Sequence, residues 1–158
     1  MNLEKLLEIQ KELDARIESE HPRKFTDHRI EQKIMALQVE IAELANVLPE
    51  VFKFWSNKKN DYKLALEEFV DGLHFILSIA NETHVTLKRK SIELEPSVFF
   101  QFAKVFWLAA QLYDDNYVND LFNYYMNLGW MLGFSEEQIE QAYLEKNKIN
   151  HQRQNDGY

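Results

Sequence analysis

Four carboxylates stand out because their spacing places them in pairs on the apolar faces of two predicted helices. Glu40 and Glu43 are three residues apart, and so are Glu68 and Asp71. Side chains three residues apart on a helix are neighbours, so the members of each pair can act together. Carboxylates set among apolar neighbours are costly unless another group pairs with them. These residues are therefore the first candidates for a functional site.

A bound metal ion is the partner that the four carboxylates predict. Neither predicted helix offers a lysine or arginine on the same face. Glu67 points to another side of its helix, towards His74, and we leave it out of the set. A ligand set made only of oxygen atoms selects hard cations, so we expect Mg²⁺ to bind, with Mn²⁺ as a substitute.

Two other interpretations of the carboxylates stay open at this point. The helix faces could be solvated, or they could bind a basic partner in a helical interaction module without enzymatic activity. A di-iron bundle is a third idea, but it needs two Glu-x-x-His elements. Among these four carboxylates, Asp71 with His74 gives one loose version of such an element, and the second histidine is missing because Glu43 is followed three residues later by Asn46.

Six predicted helices must position these side chains, and they form an all-α bundle that we expect to be a single domain over residues 1–158. Four glycines and three prolines are few for this length, and the long stretches show helical periodicity. Thr26 and Asp27 are good caps for the second helix, and Ser135 with Gln138 forms a capping box for the sixth. The predicted helices cover residues 2–20, 26–48, 61–83, 97–113, 117–131 and the stretch from 136 onward.

The fourth predicted helix has few charges and carries apolar residues on every side. Its sequence, from Ser97 to Tyr113, reads SVFFQFAKVFWLAAQLY. A helix of this kind is buried in a large core or covered by a partner. We expect a homodimer with this helix at or near the interface, and a central helix of the monomer is the alternative.

The composition limits the partners and the compartment of the protein. The formal net charge is −8, so the chain lacks the positive field that supports non-specific binding of nucleic acid. There is no cysteine, which excludes disulfides, thiolate metal sites and a cysteine nucleophile. The N-terminus is charged throughout and no apolar run is long enough for a membrane span. We therefore expect a cytoplasmic protein that binds neither nucleic acid nor membranes.

Several motifs resemble those of a known group of enzymes. Glu40-Ile-Ala-Glu43 followed by Glu68-Phe-Val-Asp71 resembles the E-x-x-E…E-x-x-D signature of the all-α nucleoside triphosphate pyrophosphohydrolases, the MazG-like superfamily. Further motifs resemble those of the dimeric dUTPase family within it, and Gln10 fits an N-terminal glutamine of that family. These motifs are FKFW at residues 52–55, DGLHF at residues 71–75 and KNKINHQRQNDGY at residues 146–158.

The resemblance implies a Mg²⁺-dependent hydrolysis of dUTP to dUMP and pyrophosphate, with dUDP left open as a second substrate. A water molecule would attack the α-phosphorus, and Glu43 would be the general base. The basic residues and a tyrosine suit the phosphates, the amide residues suit uracil, and a tryptophan suits stacking on the ring. The implied substrate-binding residues are Gln10, Trp55, Lys146, Asn147, Asn150, Arg153 and Tyr158.

Two expectations complete this picture, and one alternative remains. We expect the segment from Lys146 to Tyr158 to close over bound nucleotide and to become ordered only with ligand. We expect His74 to pack or to support the site, without binding a ligand itself. The alternative activity is a MazG-like pyrophosphohydrolase with another or a broader base specificity.

Overall fold

The structure, a computed structural model, describes residues 1–157 and is built from α-helices. Two short 3₁₀ turns, Pro49–Val51 and Asp115–Tyr117, lie between the helices, and the described residues contain no strand. The predicted all-α bundle of six helices is confirmed. The helices are α1 (Leu3–Glu20), α2 (Arg29–Asn46), α3 (Tyr62–Glu82), α4 (Val98–Ala110), α5 (Val118–Met131) and α6 (Glu136–Asn155).

Local capping explains where several of these helices begin. The Asp61 side chain caps α3 by accepting hydrogen bonds from the backbone N–H groups of Lys63 and Leu64. Ser135 and Gln138 form both halves of the predicted capping box of α6. Gly133 has φ +87°, a conformation that glycine adopts without strain, and it separates α5 from α6.

The predicted start of α2 at Thr26 and Asp27 is wrong. The helix begins at Arg29, and its cap residue His28 makes no side-chain capping bond. Asp27 is engaged elsewhere, because its carboxylate accepts hydrogen bonds from the backbone N–H of Lys24 and from the Arg29 guanidinium. A local turn therefore uses the side chain that would otherwise have capped the helix. The ends of α2 and α4 also come two or three residues earlier than predicted.

Helix α3 is the central helix of the bundle. It packs against α1, α2, α5 and α6, and buried side chains surround most of it. Two glycines allow close packing between α3 and α5. A Cβ atom on Gly72 would lie 2.2 Å from the Tyr125 hydroxyl oxygen, and one on Gly129 would lie 2.6 Å from the Phe69 ring. The close approach lets Tyr125 stack on Phe69 and donate a hydrogen bond to its carbonyl oxygen at 2.9 Å.

Helix α4 has two different faces. One face enters the core through Phe102, Val105 and Leu108, which pack against α5 and α2. The other face leaves large aromatic side chains exposed, and the neighbouring helix α2 adds exposed apolar side chains of its own. We call this set the α2–α4 face, and it consists of Met35, Val39, Phe99, Phe100 and Trp107. No helix in residues 1–157 has the length and the apolar character needed to cross a membrane.

Candidate active site

Three of the four predicted carboxylates meet where α2 packs against α3. Glu40 from α2 and Glu68 and Asp71 from α3 each offer one oxygen atom, and these oxygens all lie within 4.8 Å of one another. All three side chains are partly buried. The i, i+3 spacing places Glu68 and Asp71 on one side of α3, and the packing of the two helices brings Glu40 to them.

The crowding of these carboxylates shows in their pKa values. Burial raises the pKa of Glu40 to about 7, and the negative charges of Asp71, Glu43 and Glu68 contribute to this increase. The pKa of Glu68 is also raised, first by burial and then by Asp71 and Glu43. A raised pKa of a carboxyl group means that its ionised form is destabilised and lacks a sufficient positive partner. A divalent cation would supply that compensation, so the arrangement suits an oxygen-ligated metal ion.

Glu43 occupies a different position from the other three carboxylates. Its side chain is exposed, and it lies outside the group of close oxygens. Its negative charge still raises the pKa of Glu40, Glu68 and Asp71, so it lies near enough to act on the same cation or on a nearby water. The exposed position leaves room for a water molecule beside it.

A basic partner for the carboxylates comes from α6, contrary to the expectation that they have none. The Lys146 ammonium lies 2.5 Å from one oxygen of Asp71. Burial raises the pKa of Asp71, whereas the hydrogen bond from Lys146 and the charges of Lys146 and Arg153 oppose this effect. The prediction considered only the faces of α2 and α3, and it missed a partner that arrives from another helix.

A cleft of about 440 Å³ extends from the carboxylates along α1, α2, α3 and α6. It brings together six of the residues that the sequence analysis predicted to bind metal or substrate, and His74 lines it as well. Glu43, Glu68, Trp55 and Asn147 do not line it, and Tyr158 lies outside the described residues. The six predicted residues that line the cleft are Gln10, Glu40, Asp71, Lys146, Asn150 and Arg153.

A comparison with protein families identifies the chain. The family described as dUTPase matches residues 2–158. The chain belongs to the dUTPase family. It matches no curated protein significantly.

As a member of the dUTPase family, the protein is a dUTP diphosphatase, which cleaves dUTP to dUMP and pyrophosphate. Enzymes of this family generally use a divalent metal ion. The three crowded carboxylates are a candidate site for such an ion, and two of them, Glu40 and Asp71, line the cleft. The cleft is therefore the candidate active site of this dUTPase.

A buried polar network forms one wall of the cleft. The Gln10 side chain donates from Nε2 to Asp14, 2.8 Å away, and its Oε1 accepts a hydrogen bond from the Tyr143 hydroxyl at 2.6 Å. The same Oε1 lies 2.7 Å from Nδ1 of His74, and Ser78 donates to Asp14 at 2.9 Å. Gln10, which we predicted to contact uracil, is therefore already engaged through both ends of its amide.

Two other predicted substrate-binding residues lie in contrasting surroundings. Asn147 is buried, and its Nδ2 atom has no hydrogen-bond partner. Trp55 is exposed and contacts the rings of Phe52 and Phe54 edge to face. Stacking of Trp55 on a bound base would require the segment 52–55 to move, whereas Asn147 is a buried donor that does not line the cleft.

The sequence analysis missed several residues that line the cleft. Asp14, Arg29, Lys33 and Phe75 all contribute side chains to it. The signal for Asp14 was present, since it lies four residues after Gln10 and shares its helix face. Phe75 belongs to the DGLHF motif at residues 71–75, but the sequence analysis assigned no role to it.

The C-terminal segment is mostly helical. Residues up to Asn155 belong to α6, and the expectation that the segment closes over nucleotide and becomes ordered with it stays a prediction. Arg16 of α1 donates a hydrogen bond to Asn155, and its guanidinium lies 3.4 Å from His151. Packing against α1 therefore stabilises this part of α6 and holds Asn150 and Arg153 at the cleft.

Proposed function

We propose that this protein hydrolyses dUTP in a Mg²⁺-dependent reaction and that the cleft beside Glu40, Glu68 and Asp71 is where the reaction takes place. The observation that carries the proposal is the crowding of the three carboxylates, whose pKa values are all raised above their usual range. A protein that keeps such a costly arrangement gains from it when a cation binds. The proposal treats residues 1–158 as one domain with one active site.

The proposed metal ligands are Glu40, Glu68 and Asp71, joined by Glu43 from the exposed end of the group. Mg²⁺ bound there would offset the negative charge of the triphosphate and polarise the phosphoryl oxygens, and Mn²⁺ would act as a substitute. Glu40 and Asp71 would hold the ion at the cleft, because both side chains line it.

Glu43 is the proposed general base. Its exposed carboxylate can accept a proton from a water molecule, and the oxygen of that water attacks the α-phosphorus of dUTP. The bond between the α-phosphorus and the bridging oxygen to the β-phosphate then breaks, and pyrophosphate leaves. General bases of this kind act best when the carboxylate can reach the water directly, as an exposed side chain can.

Lys146, Arg153 and Tyr158 are the proposed phosphate-binding residues. Lys146 pairs with Asp71, so binding a phosphate oxygen would require it to exchange this partner. A cation that binds Asp71 would replace the ammonium as its positive neighbour and make the exchange less costly. Arg153 also lines the cleft and can offer two donors to one phosphate.

Recognition of uracil falls to amide side chains in this proposal. Gln10 of α1 and Asn150 of α6 line the cleft, whereas Asn147 of α6 is buried outside its lining. Gln10 would have to exchange one of its present hydrogen-bond partners for the base. The unpartnered Nδ2 atom of buried Asn147 is suited to donate to a carbonyl oxygen of the base. Trp55 remains the proposed stacking residue, on the condition that the segment 52–55 moves towards the cleft.

We also propose that the enzyme is a homodimer joined through the α2–α4 face. Met35 and Phe100 are each more than half exposed, and Trp107 is nearly so. Exposed aromatic and aliphatic side chains that cluster on two packed helices are typical of a surface that another protein covers. A second copy of the chain is the partner that the resemblance to dimeric dUTPases supports.

One set of assays tests the activity. The purified protein should release pyrophosphate from dUTP with Mg²⁺, and a chelator should stop the reaction until Mg²⁺ or Mn²⁺ is restored. A panel of dUTP, dUDP, dCTP, dTTP and UTP should show preference for dUTP. Equal rates on all triphosphates would indicate a broad MazG-like pyrophosphohydrolase, and no hydrolysis with either metal would contradict the proposal.

A further inference from the structure

His74 places an unused hydrogen-bond acceptor at the wall of the cleft. It lies on α3, three residues after Asp71, and only 6% of its surface is exposed. It lines the cleft, and its Nε2 atom is buried without a hydrogen-bond partner. A buried polar atom without a partner is costly, and at the wall of a binding cleft it is available to a ligand.

The neighbours of His74 decide which ring nitrogen carries the proton. Gln10 donates from Nε2 to Asp14, so its Oε1 is the atom that faces His74. An amide oxygen can only accept, so Nδ1 of His74 must carry a hydrogen and donate it. The remaining nitrogen, Nε2, then presents a lone pair as long as the ring is neutral. Burial, together with the charge of Lys146, lowers the pKa of His74 to about 3, although a hydrogen bond with the backbone of Tyr143 opposes this shift, so the ring is neutral at physiological pH.

The orientation of the His74 ring is also fixed by its neighbours. The imidazole stacks on the Tyr143 ring with 3.9 Å between centroids and 18° between planes. The Tyr143 hydroxyl donates to the same Gln10 oxygen that accepts from His74. Helices α1, α3 and α6 therefore hold the acceptor in place before any nucleotide arrives, which lowers the entropic cost of using it.

We propose that Nε2 of His74 accepts a hydrogen bond from the N3–H group of the uracil ring and so selects uracil over cytosine. This inference rests on the proposed function of the cleft. Uracil carries a hydrogen on N3, whereas cytosine has a lone pair there and would face a second lone pair. A site built around a fixed acceptor rejects such an analogue because two acceptors are left unpaired.

The 3′-hydroxyl of the sugar is the other donor on dUTP that could reach a neutral acceptor. The two sources are separated with dideoxyuridine triphosphate, which lacks the 3′-hydroxyl and keeps N3–H. If Nε2 binds the base, loss of the acceptor lowers kcat/KM by the same factor for dUTP and for dideoxyuridine triphosphate. If loss of the acceptor leaves kcat/KM for the dideoxy substrate unchanged, His74 binds the sugar and the proposal is wrong.

Two substitutions at His74 separate recognition from support of the fold. In His74→Asn, the amide nitrogen can replace Nδ1 as the donor to Gln10, but the acceptor at Nε2 is lost. In His74→Gln, an amide oxygen can reach the Nε2 position, but the donor to Gln10 is lost. We expect the preference for dUTP over dCTP in kcat/KM to fall on the order of 10-fold in His74→Asn. The His74→Gln protein should keep more of the preference and show the lower melting temperature.

A purely structural role would give a different pattern. Both variants would then lose kcat/KM on dUTP and dCTP by equal factors, following their loss of thermal stability. That result, or an unchanged preference in a folded His74→Asn protein, would overturn the proposal.

A spectroscopic measurement needs no turnover and so separates this inference from the proposed activity. In ¹⁵N spectra of the histidine-labelled protein, Nε2 of His74 should resonate as an unprotonated nitrogen. The signal is assigned by its loss in His74→Asn. Adding dUMP should shift this signal, and dCMP should not. Equal shifts with both nucleotides, or none with dUMP, would contradict the hydrogen bond even if dUTP hydrolysis is observed.

Discussion

At the scale of single residues, the chemistry of this protein rests on carboxylates that repel one another. Glu40, Glu68 and Asp71 bring three oxygens within 4.8 Å, and only Asp71 has a lysine bound to it. Mutual repulsion and burial disfavour the ionised forms until a cation arrives. The same residues therefore serve activity at a cost to the stability of the metal-free protein, and two predictions follow from this conflict.

The first prediction concerns the neighbouring residues Glu67 and Glu68. Glu68→Gln should reduce turnover of dUTP by roughly 100-fold or more, since loss of a metal ligand costs at least as much as loss of a residue that orients one. Glu67→Gln is the matched control, because Glu67 is exposed on the same helix and lies outside the carboxylate group. The measurements are kcat/KM for dUTP at saturating Mg²⁺ and the circular dichroism of each variant.

The same loss is expected for the other carboxylates. Glu40→Gln, Glu43→Gln and Asp71→Asn should each remove most of the turnover and leave the helical spectrum unchanged. Near-normal activity in any two of the four amide variants would exclude the metal site that we propose.

The second prediction is that ionisation of Glu40 lowers the stability of the metal-free protein as the pH rises. The pKa of this group is about 7 in the folded protein, against 4.5 when unperturbed. The folded state therefore binds the proton more tightly than the unfolded state, so the stabilising contribution is complete below pH 4.5 and is lost as the pH rises through 7. A glutamine at position 40 cannot lose a proton, so Glu40→Gln escapes this loss.

Thermal melts of the chelator-treated proteins test this pH dependence. At pH 8 the Glu40→Gln variant should melt roughly 2 °C or more above the wild type, and at pH 5 the difference should be small. Saturating Mg²⁺ should then stabilise the wild type more than the variant, because it binds the folded wild-type site more tightly. A constant difference at all pH values would show that the carboxylate at position 40 is not destabilised by ionisation.

At the scale of the elements, α6 joins the site to the fold. Its first half contributes Tyr143 and Lys146, and its second half contributes Asn150 and Arg153 to the cleft. Contacts with Arg16 of α1 hold the second half in place. A helix that both binds substrate and packs on a neighbour couples activity to stability, so a deletion in it affects both.

The third prediction separates these two roles of α6. Deleting residues 150–158 should lower both the melting temperature and kcat/KM for dUTP. Arg16→Ala should cost little stability, since exposed polar pairs contribute at most about 1 kcal/mol, and it should keep most of the activity. The double substitution Asn150→Ala with Arg153→Ala should lower kcat/KM roughly 10-fold or more while the protein stays folded, because it removes two hydrogen-bonding side chains from the cleft.

Steady-state kinetics and thermal melts of these three variant proteins distinguish substrate binding by α6 from its packing role. If the double variant keeps its full kcat/KM, these side chains do not bind the nucleotide, and the second half of α6 has only a packing role.

At the scale of the whole molecule, the α2–α4 face is the feature that the isolated chain leaves unexplained. One side of α4 belongs to the core of the monomer, whereas Phe99, Phe100 and Trp107 project from the other side. The interpretation of α4 as a core helix is confirmed for one side of it, and the homodimer interface on its exposed side stays a prediction. Exposed apolar side chains grouped on packed helices are typical of a surface that another protein covers.

The fourth prediction is that the protein sediments as a dimer at micromolar concentration and buries more than about 1,000 Å² in its interface. Trp107→Glu should produce a folded monomer, because it places a charge where the partner's apolar side chains must pack. Phe25→Glu is the control, since Phe25 is fully exposed in the connection between α1 and α2. A wild-type monomer, or dissociation by the control substitution, would count against this interface.

The amino-acid sequence alone determined the features that depend on short-range interactions. The capping box at Ser135 and the cap at Asp61 involve residues within three positions of each other, and so do the two carboxylate pairs. Helical periodicity places such residues on a common face in any fold that keeps the helix. The family could be inferred for a related reason, because its motifs are short runs of residues at fixed spacing.

Only the tertiary structure decided which distant residues share the site. Lys146 reaches Asp71 across 75 positions of the chain, and Tyr143 reaches Gln10 across 133. The sequence predicts that His74 packs or supports the site, and only its contact with Gln10 shows which of its nitrogens is left free. Such contacts depend on the angles at which helices pack and on where each side chain ends. No local pattern records these, since helices of similar periodicity can pack in several ways.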